Sequence, residues 1–196
     1  MKVALLHFCF YEYTVQLANG LAAANVDLTL IHPQHLADDV QALLDPRIKV
    51  ITFNKYRIRD PRNLSAMGEL MRIIRKVQPD VLHVQETNDP WYDLTLLFNK
   101  MPALVTTIHD VFRHPGDKDN VFGSEYTRRI AFWRSQQIIV HANFLKGALV
   151  EEFEVPQQRV CVLPHGELGS LYKRLAKEDE NAVREPFTLL FYGRIW

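Results

Sequence analysis

Short β-rich runs that are apolar almost throughout, rather than alternating, recur from one end of the chain to the other. They fall at Lys2–Phe8, Val26–Ile31, Ile48–Phe53, Val81–Gln85, Ala103–Ile108, Gln137–Val140, Val160–Leu163 and Phe187–Tyr192. A strand with one wet face alternates, whereas a strand covered on both faces reads as a continuous apolar run. The pattern therefore predicts a parallel sheet with helices on each side. The segments between the runs carry helical spacing. Leu64, Met67, Met71 and Ile74 repeat at three or four residues, and Leu145, Leu149 and Phe153 at four, each set marking one buried stripe. Asp89-Pro90 reads as a capping residue followed by proline at the first helical position, and Asn143 is placed to cap the helix after it. Alternating strands and helices with right-handed crossovers give an α/β fold, a Rossmann-like doubly wound sheet.

The bulk numbers fit one such domain. The chain has 196 residues, of which 47% are hydrophobic and 23% charged. With 23 basic and 23 acidic side chains there is no excess of positive charge for a broad nucleic-acid surface. Cys9 and Cys161 both lie in apolar runs and form no Cys-x-x-Cys pair, so buried free thiols in a reducing compartment are expected. The opening MKVALLHFCF breaks into YEYTVQ before it reaches the length of a signal peptide, and no stretch approaches the roughly 18 apolar residues of a membrane span. These features predict a cytoplasmic protein, in which the sequon Asn63-Leu64-Ser65 is not a glycosylation site. Lys55, Arg57, Arg59 and Arg62, with Arg72, Arg75 and Lys76 after them, form a basic patch. Either it is an ordinary solvated face, or it meets anionic headgroups at the inner membrane face, at about 1 kcal/mol per charge.

Six of the eight histidines, His7, His32, His83, His109, His141 and His165, fall at or near the predicted carboxyl ends of strands. In a parallel sheet those ends share one rim, and ligands of open α/β sheets bind there. A polar crevice is the expectation; a metal site is not. Zinc asks for three or four converging ligands, and His32 and His35, the close pair, have no evident third partner. Asp117-Lys118-Asp119 is a three-residue match of the kind chance supplies. The polar loop Asp110 to Asn120 follows a strong strand, a usual place for function. The charged stretch Ala176 to Glu185 reads as a linker, dividing the chain into a domain at 1–175 and, at 176–196, a linker with the start of a second domain.

Four segments in order resemble family 4 of the GT-B retaining glycosyltransferases: QPDVLHVQE (78–86), LVTTIHDVFRHPGD (104–117), VHANFLKGALVEEFEVPQQRVCVLPHGEL (140–168) and FTLLFYGRI (187–195). The resemblance implies the N-terminal half of a two-domain fold, with the chain stopping where the nucleotide-sugar-binding half begins. It implies transfer of a sugar from a nucleotide sugar to a glycan or lipid-linked acceptor, with retention and without a cofactor, by a fragment inactive alone. A GT-B-like nucleotide-sugar epimerase and a non-catalytic Rossmann-like binding module are the alternatives.

Carried over residue by residue, the resemblance places His109 in the cleft near the transferred sugar, the other reading being a strand-end histidine bonded to backbone; Asp110 beside it either orients the loop or caps it. Arg194, after Gly193, is implied to contact the donor diphosphate, as a guanidinium fork suits phosphate oxygens. Gly166, after His165, either allows a positive φ or close backbone approach beside the cleft, or is a simple turn glycine. His141 and His165 are further rim candidates. The chain departs from the family after the first strand, where a Gly-Gly turn is replaced by bulky Phe8, Cys9, Phe10 and Tyr11. Phe10, Tyr11 and Tyr13 are thus candidates for stacking an acceptor sugar, with ordinary packing as the other reading. Gln85 stands where many members carry a second histidine.

Overall fold

The computed structural model describes residues 1–8, 10–36, 41–86, 89–112, 124–166 and 168. Seven strands form one sheet: β1 (Lys2–Leu6), β2 (Asp27–Pro33), β3 (Lys49–Phe53), β4 (Val81–Gln85), β5 (Ala103–Ile108), β6 (Gln137–Val140) and β7 (Val160–Val162). Their order is β3-β2-β1-β4-β5-β6-β7, and every pairing is parallel. The order reverses between β1 and β4, so this is the doubly wound Rossmann-like sheet that the apolar runs predict, with its switch point there. The expected strand Phe187–Tyr192, the linker and Gly193 and Arg194 lie outside the described residues, as do Cys9, Asp117 and Asp119.

The helices are α1 (Tyr11–Ala23), α2 (Asn63–Val77), α3 (Pro90–Phe98), α4 (Ser124–Arg134) and α5 (Asn143–Phe153). The pleat sends successive side chains of β1 to opposite faces. Val3 and Leu5 join Val15, Ala18, Leu28 and Leu30 beneath α1, whereas Ala4 and Leu6 join Met67, Leu70, Tyr92 and Leu104 beneath α2 and α3. A third cluster, around Ile108, Ile138, Val140, Leu145 and Leu149, closes the β6–β7 end.

Local signals hold in part. Asp89 caps α3 as expected, its carboxylate accepting from the backbone N–H groups of Trp91 and Tyr92, with Pro90 opening the helix. Asn143 instead takes the first helical position of α5, with Ala142 before it and no side-chain cap. The stripe of α2 holds for Met67, Met71 and Ile74, but Leu64 is 71% exposed. The buried residue at that end is Asn63, whose amide donates to the Arg57 carbonyl and accepts from Tyr56 N and Lys55 Nζ. Asn63 is buried, and these three bonds satisfy most of its polar capacity. Cys161 is exposed rather than buried, because its side chain lies on the outer face of the short edge strand β7. No helix among the described residues is long and apolar enough to cross a membrane.

One buried carboxyl makes this fold sensitive to pH. Asp93, in the first turn of α3, is 2% exposed, and burial pushes its pKa up to about 7 even though Thr127 donates a hydrogen bond of 2.9 Å to it. The folded state therefore holds this proton more tightly than the unfolded chain, whose aspartates titrate near 3.9. The stability it contributes is complete below about pH 4 and is lost as pH rises towards about 7. Asp93→Asn should gain on the wild type across that window, by at most about 1.4 kcal/mol per pH unit, in urea unfolding at stepped pH. Parallel pH profiles for the two proteins would refute it.

Candidate functional site

The carboxyl ends of β4 to β7 and the start of α1 meet beside the switch point, and they bring there much of what the rim pattern suggests. His109 follows β5, His141 follows β6, and His165 lies just beyond β7. Their ring centroids are 5.0 Å apart for His109–His141, 4.9 Å for His141–His165 and 6.1 Å for His109–His165. Tyr13 of α1 faces all three, at 4.9, 5.2 and 4.9 Å. Phe10 stacks on His109 at 4.3 Å with 21° between the planes. Tyr11 turns away and packs on the cluster beneath α1, since it lies two residues from Tyr13 and side chains two apart on a helix point about 200° apart.

The other rim histidines stand apart. His7 and His32 pair with each other at 5.6 Å on the β1–β2 side. His83 lies inside β4 rather than at its end, where its Nε2 meets the Thr107 hydroxyl at 2.8 Å. Gly166 needs neither special property: its φ is not left-handed, and a Cβ there would meet no described atom within 4 Å.

Gln85 and Glu86 hold His109 in place. The Nε2–H of His109 donates to the Gln85 side-chain oxygen at 3.1 Å, which leaves the lone pair on Nδ1. Burial, reinforced by the neighbouring His141 and His165, lowers its pKa to about 4, so the ring is neutral near pH 7. Burial also lowers His141, against the pull of its hydrogen bond to the Leu163 carbonyl. Glu86 is 4% exposed and accepts from the backbone N–H of His109 at 3.1 Å and of Asp110 at 3.4 Å. Arg128 of α4 donates to the Glu86 carboxylate and to the Asp110 carbonyl. Burial raises the Glu86 pKa, and Arg128 and the two N–H groups pull it back. Asp110 is therefore placed in the loop start through its backbone, while Glu86 does the anchoring. The sequence carried a signal for Glu86, an acid directly after the buried end of an apolar run, but not for its partner.

Phe10 supplies a second local device. It takes a left-handed conformation, φ 61° and ψ 43°, at the entrance to α1, a geometry that costs a non-glycine residue roughly 1–2 kcal/mol. This is the turn at which the resemblance implies glycines, and here a phenylalanine takes the left-handed conformation. Phe10→Gly should be more stable than Phe10→Ala by about 1 kcal/mol, the reverse of the usual order, because both lose the stacked ring and only glycine loses the strain. Equal thermal unfolding midpoints would contradict this.

The basic patch is smaller than the charge run suggests. Lys55 is buried, pairing with Asp89 at 2.7 Å with side-chain exposures of 8% and 7%, and it bonds Asn63 and the Tyr56 carbonyl. Arg62 pairs with Asp60 at 2.6 Å and lies over the Tyr56 ring. Arg57 and Arg59 are exposed. Lys55 is therefore no surface charge, because Asp89, remote in sequence, neutralises it in the interior.

A seven-stranded parallel sheet with a polar, aromatic-lined rim beside its switch point defines a Rossmann-like α/β domain with a ligand-binding edge. A family model for "Glycosyl transferase 4-like" proteins matches residues 2–142, and the chain belongs to that family. Comparison with curated proteins found no match. Among solved structures, it is similar to a glycosyltransferase from Rickettsia africae ESF-5, at 19% identity over 84% of this chain and 43% of that one, with a TM-score of 0.59. It is also similar to a UDP-N-acetylglucosamine 2-epimerase from Rickettsia bellii, at 14% identity over 91% and 49%, TM-score 0.60. A third is Anabaena Alr3699/HepE in complex with UDP, at 13% identity over 89% and 50%, TM-score 0.58. The chain spans about half the length of each, and at these identities the likeness is one of fold.

Proposed function

We propose that this chain is the acceptor-side half of a glycosyltransferase that moves a sugar from a nucleotide sugar to a glycan or lipid-linked acceptor, with retention. The observation that carries the reading is His109: a neutral imidazole with a free Nδ1 lone pair, clamped by Gln85 and Glu86 among Phe10, Tyr13 and two further imidazoles. Such a ring can accept a hydrogen bond from a sugar hydroxyl, and the aromatic faces can stack a pyranose. Family membership supports the same chemistry. On this reading Gly193 and Arg194 open the second domain and Arg194 contacts the donor diphosphate. The transfer takes place in the cytoplasm, and exposed Arg57 and Arg59, helped by Arg62, contact an anionic inner membrane face.

The test uses the intact protein. UDP-, GDP- and ADP-sugars are titrated in by calorimetry, and the binding donor is then incubated with glycan and lipid-linked acceptors. Sugar appearing on an acceptor is the expected result. Epimerised nucleotide sugar without transfer would favour the epimerase, and no donor binding at all would favour a binding module. Residues 1–196 alone should bind donor weakly or not at all, and micromolar binding to them would contradict the division of labour between domains.

A further inference from the structure

We propose that His109, His141 and His165 form a three-histidine site for a borderline divalent transition metal of the zinc class, with a fourth position open to the rim. One ring nitrogen from each of the three lies within 4.8 Å of the other two. Around a tetrahedral ion with Zn–N near 2.05 Å, nitrogens stand about 3.3 Å apart and ring centres about 5 Å apart. Two of the three centroid spacings, 5.0 and 4.9 Å, already match. The third, at 6.1 Å, involves His165, the exposed member. To reach the tetrahedral spacing the nitrogens close by at most about 1.5 Å, a shift within reach of side-chain rotation at this exposed member.

The tautomers are set for binding. A ligating histidine usually donates its other ring N–H to an oxygen, which orients the ring and raises its basicity. All three do so here. His141 Nδ1 bonds the Leu163 carbonyl at 2.9 Å, His165 Nδ1 bonds the Gly166 carbonyl at 2.8 Å, and His109 Nε2 bonds Gln85 at 3.1 Å. The lone pairs left over are Nε2 of His141, Nε2 of His165 and Nδ1 of His109. His141 Nε2 is buried without a hydrogen-bond partner, an arrangement that native structures seldom leave unexplained. Imidazole nitrogen suits zinc, copper and nickel, and the Tyr13 ring against all three histidines lowers the local dielectric. The sequence argued against a metal because no two of these histidines are close along the chain. Three separate strand ends supply them, one each.

The site stands independently of sugar transfer. If transfer also occurs here, a bound ion takes the His109 lone pair and competes with the sugar for it. The experiment uses the intact protein without a histidine tag, donor or acceptor. Zinc is titrated in by calorimetry, and cobalt by visible absorption. One equivalent should bind, with the intense bands of four-coordinate cobalt. His141→Ala and His165→Ala should each weaken binding by about 100-fold or more, and Gln85→Leu by about 10–100-fold. His35→Ala, at an exposed histidine elsewhere, should leave affinity unchanged. His165→Gln, a change at the exposed rim, covers the case in which His141→Ala fails to fold. No binding by the wild type, or binding that survives both His165 variants, overturns the proposal.

Discussion

On the proposed sugar-transfer reading, replacing His109 with alanine in the intact protein is expected to lower kcat by about 100–1000-fold with little change in donor KM. That range is the usual cost of removing one pre-positioned hydrogen-bonding group that acts mainly in the transition state. The ring is held in advance: its backbone N–H is bonded to Glu86, its Nε2 to Gln85, and its face to Phe10. Little reorganisation remains when substrate arrives, so the loss should fall on kcat. His109→Gln, which retains a donor and an acceptor, should recover part of the rate. A fall in kcat of less than about tenfold for His109→Ala would remove His109 from the reaction.

Replacing Glu86 with alanine should cost about 3–5 kcal/mol of folding stability. The carboxylate is buried with Arg128, and removing one partner leaves the other charge uncompensated. The N–H groups of His109 and Asp110 also lose their acceptor. The loss should appear in urea unfolding as a lower midpoint with a nearly unchanged slope. Adding Arg128→Met to Glu86→Ala should return part of the loss, because it removes the stranded guanidinium. A loss below about 1 kcal/mol, in the range of an exposed ion pair, would mean that the clamp contributes little.

The sheet was legible because burial on both faces leaves a direct trace, a run with no polar alternation. The seven described strands lie within a residue or two of those runs. Helix stripes were legible up to their ends, where a capping or bonding residue such as Asn63 displaces the apolar one, and so Leu64 was placed on the wrong face. The rim was legible as a set of histidines, but not its division into groups. That division depends on which strands are neighbours, and β1 next to β4 cannot be read from local spacing. Long-range pairing hid the rest. Lys55 looks like part of a charge run until Asp89 is beside it, and Glu86 looks like a strand-end acid until α4 delivers Arg128.

The bonds His83–Thr107 and Gln85–His109 span the same 24 residues, one pleat apart on the same pair of strands. Like successive rungs, they carry the spacing of the sheet out to its edge. The position of His109 along this rim is therefore set by the strand separation. Inserting a single residue into β5 would turn His109 to the opposite side of the sheet, and inserting one into β4 would do the same to Gln85, so either change separates the pair.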